Sequence, residues 1–411
     1  MCGFIVHKSF CNPKYIQRRG QDAHNTYRHK SGLIFDHFLL HITGEKTLQP
    51  FVDDGIICCY NGELYGLEFK QSDGENLIPL YKQWGIMFPK HLDGEYAIAL
   101  YDFNRDIALF ITDPFATKPL WRKGVECASY ESGVGGRKIR ANTIEGVEIS
   151  TGRDLFSIHP YYFFDFDNQF KTSYDDCIRH LIAAIKKRAK DNCFIGLSSG
   201  YDSGAISCIL KNLGANFKCY SIVAKEDLAT LKKRISILGN VDLIESFDIK
   251  RQEAHLRDNA ENFLYDIQYE NGNGKTSYKD DYASKALSHI CELAHNEGRK
   301  VCISGMGADE ILSDYSLIPN QSEFKGRFPA NLKQWKNFYD SCMYSYLAKE
   351  ELVGGSWNIE TRYPFLDKNF VQAFLWLRAD LKNRWYKAPL HKYLTDQRFP
   401  FQPNKKIGFN V

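Results

Sequence analysis

Two short stretches place reactive residue types in tight turns built from small residues. The first, Gly196-Leu197-Ser198-Ser199-Gly200-Tyr201-Asp202-Ser203-Gly204, follows the apolar run Cys193-Phe194-Ile195 and leads into Ala205-Ile206-Ser207-Cys208-Ile209-Leu210. Glycine and serine at a strand-to-helix turn leave backbone N–H groups unobstructed at a helix N-terminus, where the dipole also favours an anion. A carboxylate, Asp202, sits inside this turn, where a bare anion would repel it unless a cation intervened. A nucleotide phosphate with Mg2+ accounts for both features. The second stretch, Ser304-Gly305-Met306-Gly307-Ala308-Asp309-Glu310, follows Lys300-Val301-Cys302-Ile303 and offers that ion a further carboxylate, Asp309. Near the start, removal of Met1 would give Cys2 its own α-amine as a base, with a reference pKa of about 7.7–8.0. Taken alone, Cys2 reads first as a small apolar residue opening a strand. Asn61-Gly62, after the β-rich run 55–60, reads as a turn whose amide and glycine N–H would also suit an oxyanion hole.

These residues need elements to hold them. Residues 217–224 and 241–244 read as strands and 231–238 and 282–295 as helices. Such alternation predicts a parallel sheet with ligands at the carboxyl ends of its strands, which puts both acidic turns at one edge. A helix starts near Tyr174-Asp175-Asp176, with Ile178, Leu181, Ile182 and Ile185 at helical spacing; its basic tail, Lys186-Lys187-Arg188, reads as a solvated last turn. In the N-terminal part, 96–102 and 107–113 are β-like, and Ser72-Asp73-Gly74-Glu75 resembles a cap before an apolar helix. Cys58 and Cys59 would point to opposite faces of a strand. Residues 146–173, aromatic and turn-rich, read as closing strands and a linker.

With 411 residues the chain has room for two domains, and 44% hydrophobic with 25% charged residues describes an ordinary globular protein. A net charge of +3 is too small to argue for nucleic acid or a membrane as partner. No apolar run reaches transmembrane length, and residues 1–30 lack the apolar core of a signal peptide. Twelve cysteines without a C-x-x-C pair argue against a zinc site and for free thiols in a reducing cytoplasm.

The first turn resembles the S-G-G-x-D-S pyrophosphate loop of ATP pyrophosphatases, with Ser199 at the usual first glycine and Gly204 at a frequent serine. No G-x-x-x-x-G-K-[ST] of P-loop NTPases occurs. Met1-Cys2-Gly3-Phe4, Asn61-Gly62-Glu63-Leu64-Tyr65, Ser72-Asp73-Gly74-Glu75, the run 94–102 and the stretch from Asp113 to Leu120 resemble class II glutamine amidotransferases. That resemblance covers residues 2 to about 165. It implies Cys2 as nucleophile with its amine as base, Asn61 and Gly62 as oxyanion hole, and Glu63 and Asp73 on the glutamine head. The second turn, the run Trp357-Asn358-Ile359-Glu360-Thr361-Arg362-Tyr363-Pro364-Phe365-Leu366-Asp367, Tyr386-Lys387-Ala388-Pro389-Leu390 and Lys405-Lys406-Ile407-Gly408-Phe409 resemble asparagine synthetases. This implies Lys387 on the ATP phosphates and transition state. Ser198, Ser199, Gly200, Asp202, Ser203, Ser304 and Gly305 would surround the nucleotide. Ser221 and Ile222 would lie near adenine, and Asp202 and Asp309 would bind Mg2+. Pro364 also reads as a helix entry.

The expected architecture is an α+β N-terminal-nucleophile glutaminase sandwich (2–165) followed by an α/β parallel-sheet ATP-pyrophosphatase domain, adenine nucleotide alpha hydrolase-like (174–411). The implied activity is an ATP-dependent, AMP-forming amidotransferase that hydrolyses glutamine and amidates an adenylated acid, aspartate first. ATP and Mg2+ are the implied cofactors. Its partners would be small molecules, with no nucleic acid and no membrane; a homodimer is compatible, and the location cytoplasmic. A second reading keeps the adenylation but changes the acid or uses ammonia, as in β-lactam synthetases and lasso-peptide cyclases. A third, a degenerate scaffold, is opposed by Asp202, Asp309 and Lys387.

Several departures accompany the resemblance. Leu39 stands where an H-x-R-L-[SP]-I strand carries the arginine that grips the glutamine carboxylate, leaving Arg28 or Lys46 as alternative cations. The R-G-P-D loop reads as reduced to Lys30-Ser31-Gly32. Met306 replaces a glutamate tied to incoming ammonia, which leaves Asp309 or Glu310 to serve. The long tail typical of the family is missing after Gly408-Phe409.

Overall fold

In a computed structural model describing residues 2–223, 226–269, 272–315 and 322–406, Cys58 and Cys59 lie side by side on the strand Ile56–Leu64 and enter different cores. Cys59 packs with Phe4, Val6, Phe35, Ile57, Tyr101 and Phe110, between two six-stranded sheets. Cys58 joins Tyr60, Leu77, Tyr81, Phe88, Ile98 and Leu100, beneath the helix Leu77–Trp84. Strict alternation along one strand therefore separates an inter-sheet face from a helix-covered face.

One sheet runs Arg137–Lys138, Trp121–Lys123, Glu126–Ala128, Gly3–His7, Ile34–Leu39, Ala23–Arg28. The other runs Asp154–Ile158, Ile144–Glu148, Ile107–Thr112, Gly94–Asp102, Ile56–Leu64, Phe51–Asp53. These belong to a compact unit of residues 1–163, with 259–261 and 354–360; the remainder of the chain forms a second unit.

The second unit is built on a five-stranded sheet in the order Val241–Ile244, Phe217–Ile222, Cys193–Gly196, Val301–Ile303, Glu360–Arg362. Cys193–Gly196 pairs in parallel with both Phe217–Ile222 and Val301–Ile303. The strand order reverses between Cys193–Gly196 and Val301–Ile303, and a reversal of this kind opens a crevice at the strand ends. Both acidic turns leave the sheet there.

Two sequence expectations change. Asn61-Gly62 makes no turn: both lie inside the strand Ile56–Leu64, opposite Ala97 and Tyr96, and pairing with Gly94–Asp102 overrides the local Asn-Gly preference. The tail of the helix Asp175–Arg188 is not a solvated turn either. Arg188 is buried and pairs with Asp367 at 2.9 Å, and Lys187 reaches the same carboxylate at 2.5 Å. Asp367 also caps the helix Lys368–Leu375 through the N–H groups of Asn369 and Phe370. The Phe365-Leu366-Asp367 signature thus clamps one helix to another, after Pro364 opens a single 3-10 turn. Among the described residues no helix is long and apolar enough to cross a membrane. Ala224 and Ile407-Gly408-Phe409 lie outside the described residues.

Candidate functional sites

In the first unit, Cys2 precedes the strand Gly3–His7, whose Phe4 and Val6 face the inter-sheet core, so alternation directs Cys2 to the same side. Burial pushes its thiol up to about 11, opposed by a hydrogen bond from the Leu40 backbone and reinforced by Asp73. The thiol is therefore neutral near pH 7 and needs a base. Asn61, in the same register as Cys59, is completely buried, and neither Oδ1 nor Nδ2 has a hydrogen-bond partner. Leaving a buried amide unmatched costs about 1–3 kcal/mol per group, so this one is poised for a ligand. Gly62 has φ +148°, and a Cβ there would stand 1.9 Å from the Glu95 carbonyl oxygen; only glycine fits. Asp73 Oδ2 accepts the Leu64 N–H at 2.7 Å and Oδ1 the Gly74 N–H at 3.0 Å, which fixes the chain leaving the strand. Glu63 accepts from Thr43 Oγ1 at 2.6 Å.

The arginine loop is corrected by its geometry. Lys30-Ser31-Gly32 is the hairpin between Ala23–Arg28 and Ile34–Leu39. There Arg28 pairs with Ile34 while Leu39 pairs with Ala23. Five strand residues, about 17 Å, separate the two ends, so Arg28 does not substitute for an arginine at Leu39. The order Arg-Gly-x-Asp survives instead at Arg19-Gly20-Gln21-Asp22. Arg19 Nε donates to the Cys2 carbonyl at 3.3 Å, the Asp22 N–H to Leu39 O at 2.9 Å, and the His41 N–H to Asp22 Oδ2 at 2.7 Å. A Cβ on Gly20 would lie 2.1 Å from Phe38 O. The motif was readable in the sequence once Gln21 was allowed at the proline position.

In the second unit, the two turns touch: a Cβ on Gly305 would meet Asp202 Cβ at 3.0 Å. Lys387 joins them. Its ammonium lies 2.6 Å from both Asp202 oxygens and 2.8 Å from Asp309 Oδ1. Burial alone would depress this lysine, but the two carboxylates hold it well above its ordinary range. Asp309 is held down to about 2 against its own burial by Lys387 and Lys406, and also accepts the Tyr386 hydroxyl at 2.9 Å. Lys387 adopts φ +47°, a left-handed conformation that costs a non-glycine residue about 1–2 kcal/mol. Ser221 Oγ, at the end of the neighbouring strand Phe217–Ile222, is buried without a partner.

The first turn is less open than its composition suggests. The Ser198 N–H donates to Ser203 Oγ at 3.0 Å and the Gly200 N–H to Ser198 Oγ at 3.1 Å. The Ser199 N–H donates to Glu226 Oε2 at 2.5 Å. A carboxylate of the chain itself thus takes the N–H expected to face a phosphate. Beneath the turn, Arg234 donates to the carbonyls of Ser198, Gly200 and Pro400. Its guanidinium would lie 2.4 Å from a Cβ at position 204, which explains glycine where a serine is frequent. Neither Arg234 nor Glu226 carries a local sequence signal. Ser304 and Gly305 hold the second turn: the Ser304 N–H donates to Arg362 O at 2.9 Å, and the Met306 N–H to Ser304 Oγ at 3.0 Å. Glu310 is fully buried with Oε2 unpartnered; burial, then Asp309, raises it to about 8.

Each compact unit carries one of two family models. A glutamine amidotransferase domain model matches residues 6–142, and an asparagine synthase model matches residues 178–351. Over 94% of its length the chain is 24% identical to asparagine synthetase [glutamine-hydrolyzing] 1 of Saccharomyces cerevisiae, covering 76% of that protein. Over 94% it is 23% identical to the nodule asparagine synthetase of Pisum sativum, covering 71%. It is also 25% identical to amidase chry2 of Gibberella zeae, over 74% of this chain and 54% of that one. The chain belongs to the glutamine-hydrolysing asparagine synthetase family and is an enzyme of that type.

Proposed function

We propose that the protein is an ATP-dependent, AMP-forming amidotransferase that converts aspartate to asparagine with glutamine as nitrogen donor. Residues 2–165 would form the N-terminal-nucleophile glutaminase and 174–411 the ATP-pyrophosphatase-type synthetase. The observation that carries the reading is Lys387, whose ammonium unites Asp202 and Asp309 at the sheet's switch point.

In the first half-reaction, the α-amine freed by loss of Met1 takes the Cys2 proton, and sulfur attacks the glutamine amide carbon. The developing oxyanion is received by the unpartnered Asn61 amide and the Gly62 N–H, while Glu63 and Asp73 hold the glutamine head. Ammonia leaves, and water cleaves the thioester to glutamate. In the second, an aspartate carboxylate oxygen attacks the α-phosphorus of ATP and pyrophosphate leaves; ammonia then attacks the acyl carbon and AMP leaves. Ser198, Ser199, Gly200, Ser203, Ser304 and Gly305 line the nucleotide, Ser221 and Ile222 border its base, and Lys387 neutralises the phosphates. Binding requires ATP to displace Glu226 from the Ser199 N–H. Asp202 and Asp309 already share one cation, so the pair fits a hard divalent ion, and Mg2+ bound there would neutralise the departing pyrophosphate.

The test is ATP–pyrophosphate exchange across candidate acids. Aspartate-dependent exchange is expected, with a loss above about tenfold, roughly 1.4 kcal/mol, in Asp202→Asn. Exchange with another acid alone would move the amide product to that acid. Its absence with every acid would remove the adenylation.

A further inference from the structure

The cysteine spacing argues against zinc, yet four side chains from four segments converge on the outer face of the first unit's first sheet. His7 ends the strand Gly3–His7, Cys11 lies in the following loop, Asp36 sits in Ile34–Leu39 and His24 in Ala23–Arg28. Phe4, Val6 and Phe35 face the inter-sheet core, so alternation turns His7 and Asp36 away from it and from the Cys2 side. His7 Nε2 stands 3.0 Å from Asp36 Oδ2 and 3.5 Å from Cys11 Sγ. The donor atoms of His7, Cys11 and Asp36 all lie within 4.8 Å of one another, and His24 Nε2 is 3.3 Å from Asp36 Oδ1.

Two further contacts fix what these groups present. His7 Nδ1 lies 2.7 Å from the Ser9 carbonyl oxygen, which can only accept, so Nδ1 carries a proton. In the neutral ring Nε2 then presents its lone pair to Asp36 Oδ2, which repels it unless a cation stands between them, while the Cys11 thiol donates to it until a metal displaces that proton. Thr26 Oγ1 donates to Asp36 Oδ1 at 2.5 Å and orients the carboxylate. An imidazole held by a carbonyl behind it and a carboxylate held by a hydroxyl are the outer contacts typical of metal ligands. Around a tetrahedral zinc, bonds of about 2.0–2.3 Å set donor atoms about 3.3–3.6 Å apart, and His7 Nε2 lies 3.0 Å and 3.5 Å from its two fellow donors.

We propose that His7, Cys11 and Asp36 form a zinc-binding site that pins the loop after the first strand to the sheet. On binding, Cys11 releases its proton to solvent and its thiolate bonds to the metal. One thiolate and one carboxylate neutralise the divalent ion, and three protein ligands leave the fourth tetrahedral position to solvent. The rival arrangement is a protonated His7 paired with Asp36 and no metal.

The experiment is a Co2+ titration of full-length, chelator-stripped protein followed by absorption. One equivalent should bind with the intense visible bands of a tetrahedral site and a thiolate charge-transfer band, and Zn2+ should displace it. Cys11→Ser should abolish the charge-transfer band, whereas Cys2→Ser should keep it. His7→Gln should weaken Co2+ binding by more than the roughly 10–100-fold attached to an outer contact. The proposal is overturned by failure to bind one equivalent at micromolar Co2+, by a weak octahedral spectrum, or by a charge-transfer band that survives Cys11→Ser. The unsubstituted protein gives the first two readings, so folding of the variants does not decide them.

Discussion

Leu39 ends the strand Ile34–Leu39 buried, where the family places a guanidinium. Leucine offers a carboxylate nothing, and a hydrogen bond to a charged group is worth about 1.5–3 kcal/mol. Glutamine should therefore saturate the glutaminase half-reaction weakly, with ammonia rivalling it as nitrogen source. Leu39→Arg should lower KM for glutamine without changing the ammonia-dependent rate; micromolar saturation of the unmodified enzyme would defeat the idea. Glu310 supplies a second prediction. The fold holds it at about 8 against 4.5 for an ordinary glutamate, so burial favours its neutral form. That stabilisation is full below 4.5 and is lost as pH rises through about 8. Glu310→Gln should be more resistant to urea than the parent at pH 8, with the difference shrinking towards pH 5. Urea midpoints at the two pH values check it, and a constant difference would count against a titrating Glu310.

At the scale of elements, the strand–turn–helix from Cys193 to Asn212 forms as its composition predicts, but its neighbours decide how open it is. Arg234, from the helix Leu228–Leu238, braces the turn from below and excludes a side chain at Gly204. Glu226, just before that helix, closes the Ser199 N–H from the other side. If the turn holds the ATP phosphates as proposed, this carboxylate competes with them for the Ser199 N–H. Glu226→Gln should lower KM for ATP by roughly 5- to 10-fold, the scale of one hydrogen bond of about 1–1.4 kcal/mol. An unchanged or raised KM in steady-state kinetics would make Glu226 a support of the loop instead of a competitor for it.

At the scale of the molecule, the residues proposed for the thiol chemistry and for the phosphate chemistry fall in different compact units. Cys2→Ala should abolish glutamate release while leaving ammonia-dependent AMP formation largely intact, because Asp202, Asp309 and Lys387 stand in the second unit. Parallel assays of glutamate and AMP check this. Continued glutamate release by a contaminant-free preparation would take Cys2 out of the mechanism, and joint loss of both activities would mean the halves do not work independently.

The sequence alone determined what depends on local pattern. The period of two along Ile56–Leu64 splits Cys58 from Cys59, and the alternation of strands and helices after residue 193 sets the parallel sheet. The small-residue turns with Asp202 and Asp309 follow from their own composition. Tertiary structure decided what depends on partners distant in the chain. Asn61-Gly62 stayed in a strand because pairing with Gly94–Asp102 outweighs a two-residue turn preference. Lys187 and Arg188 became buried ion pairs because Asp367 meets them from 179 residues beyond Arg188. Glu226, Arg234 and the His7, Cys11, Asp36, His24 cluster have no spacing code, since only folding brings their segments together.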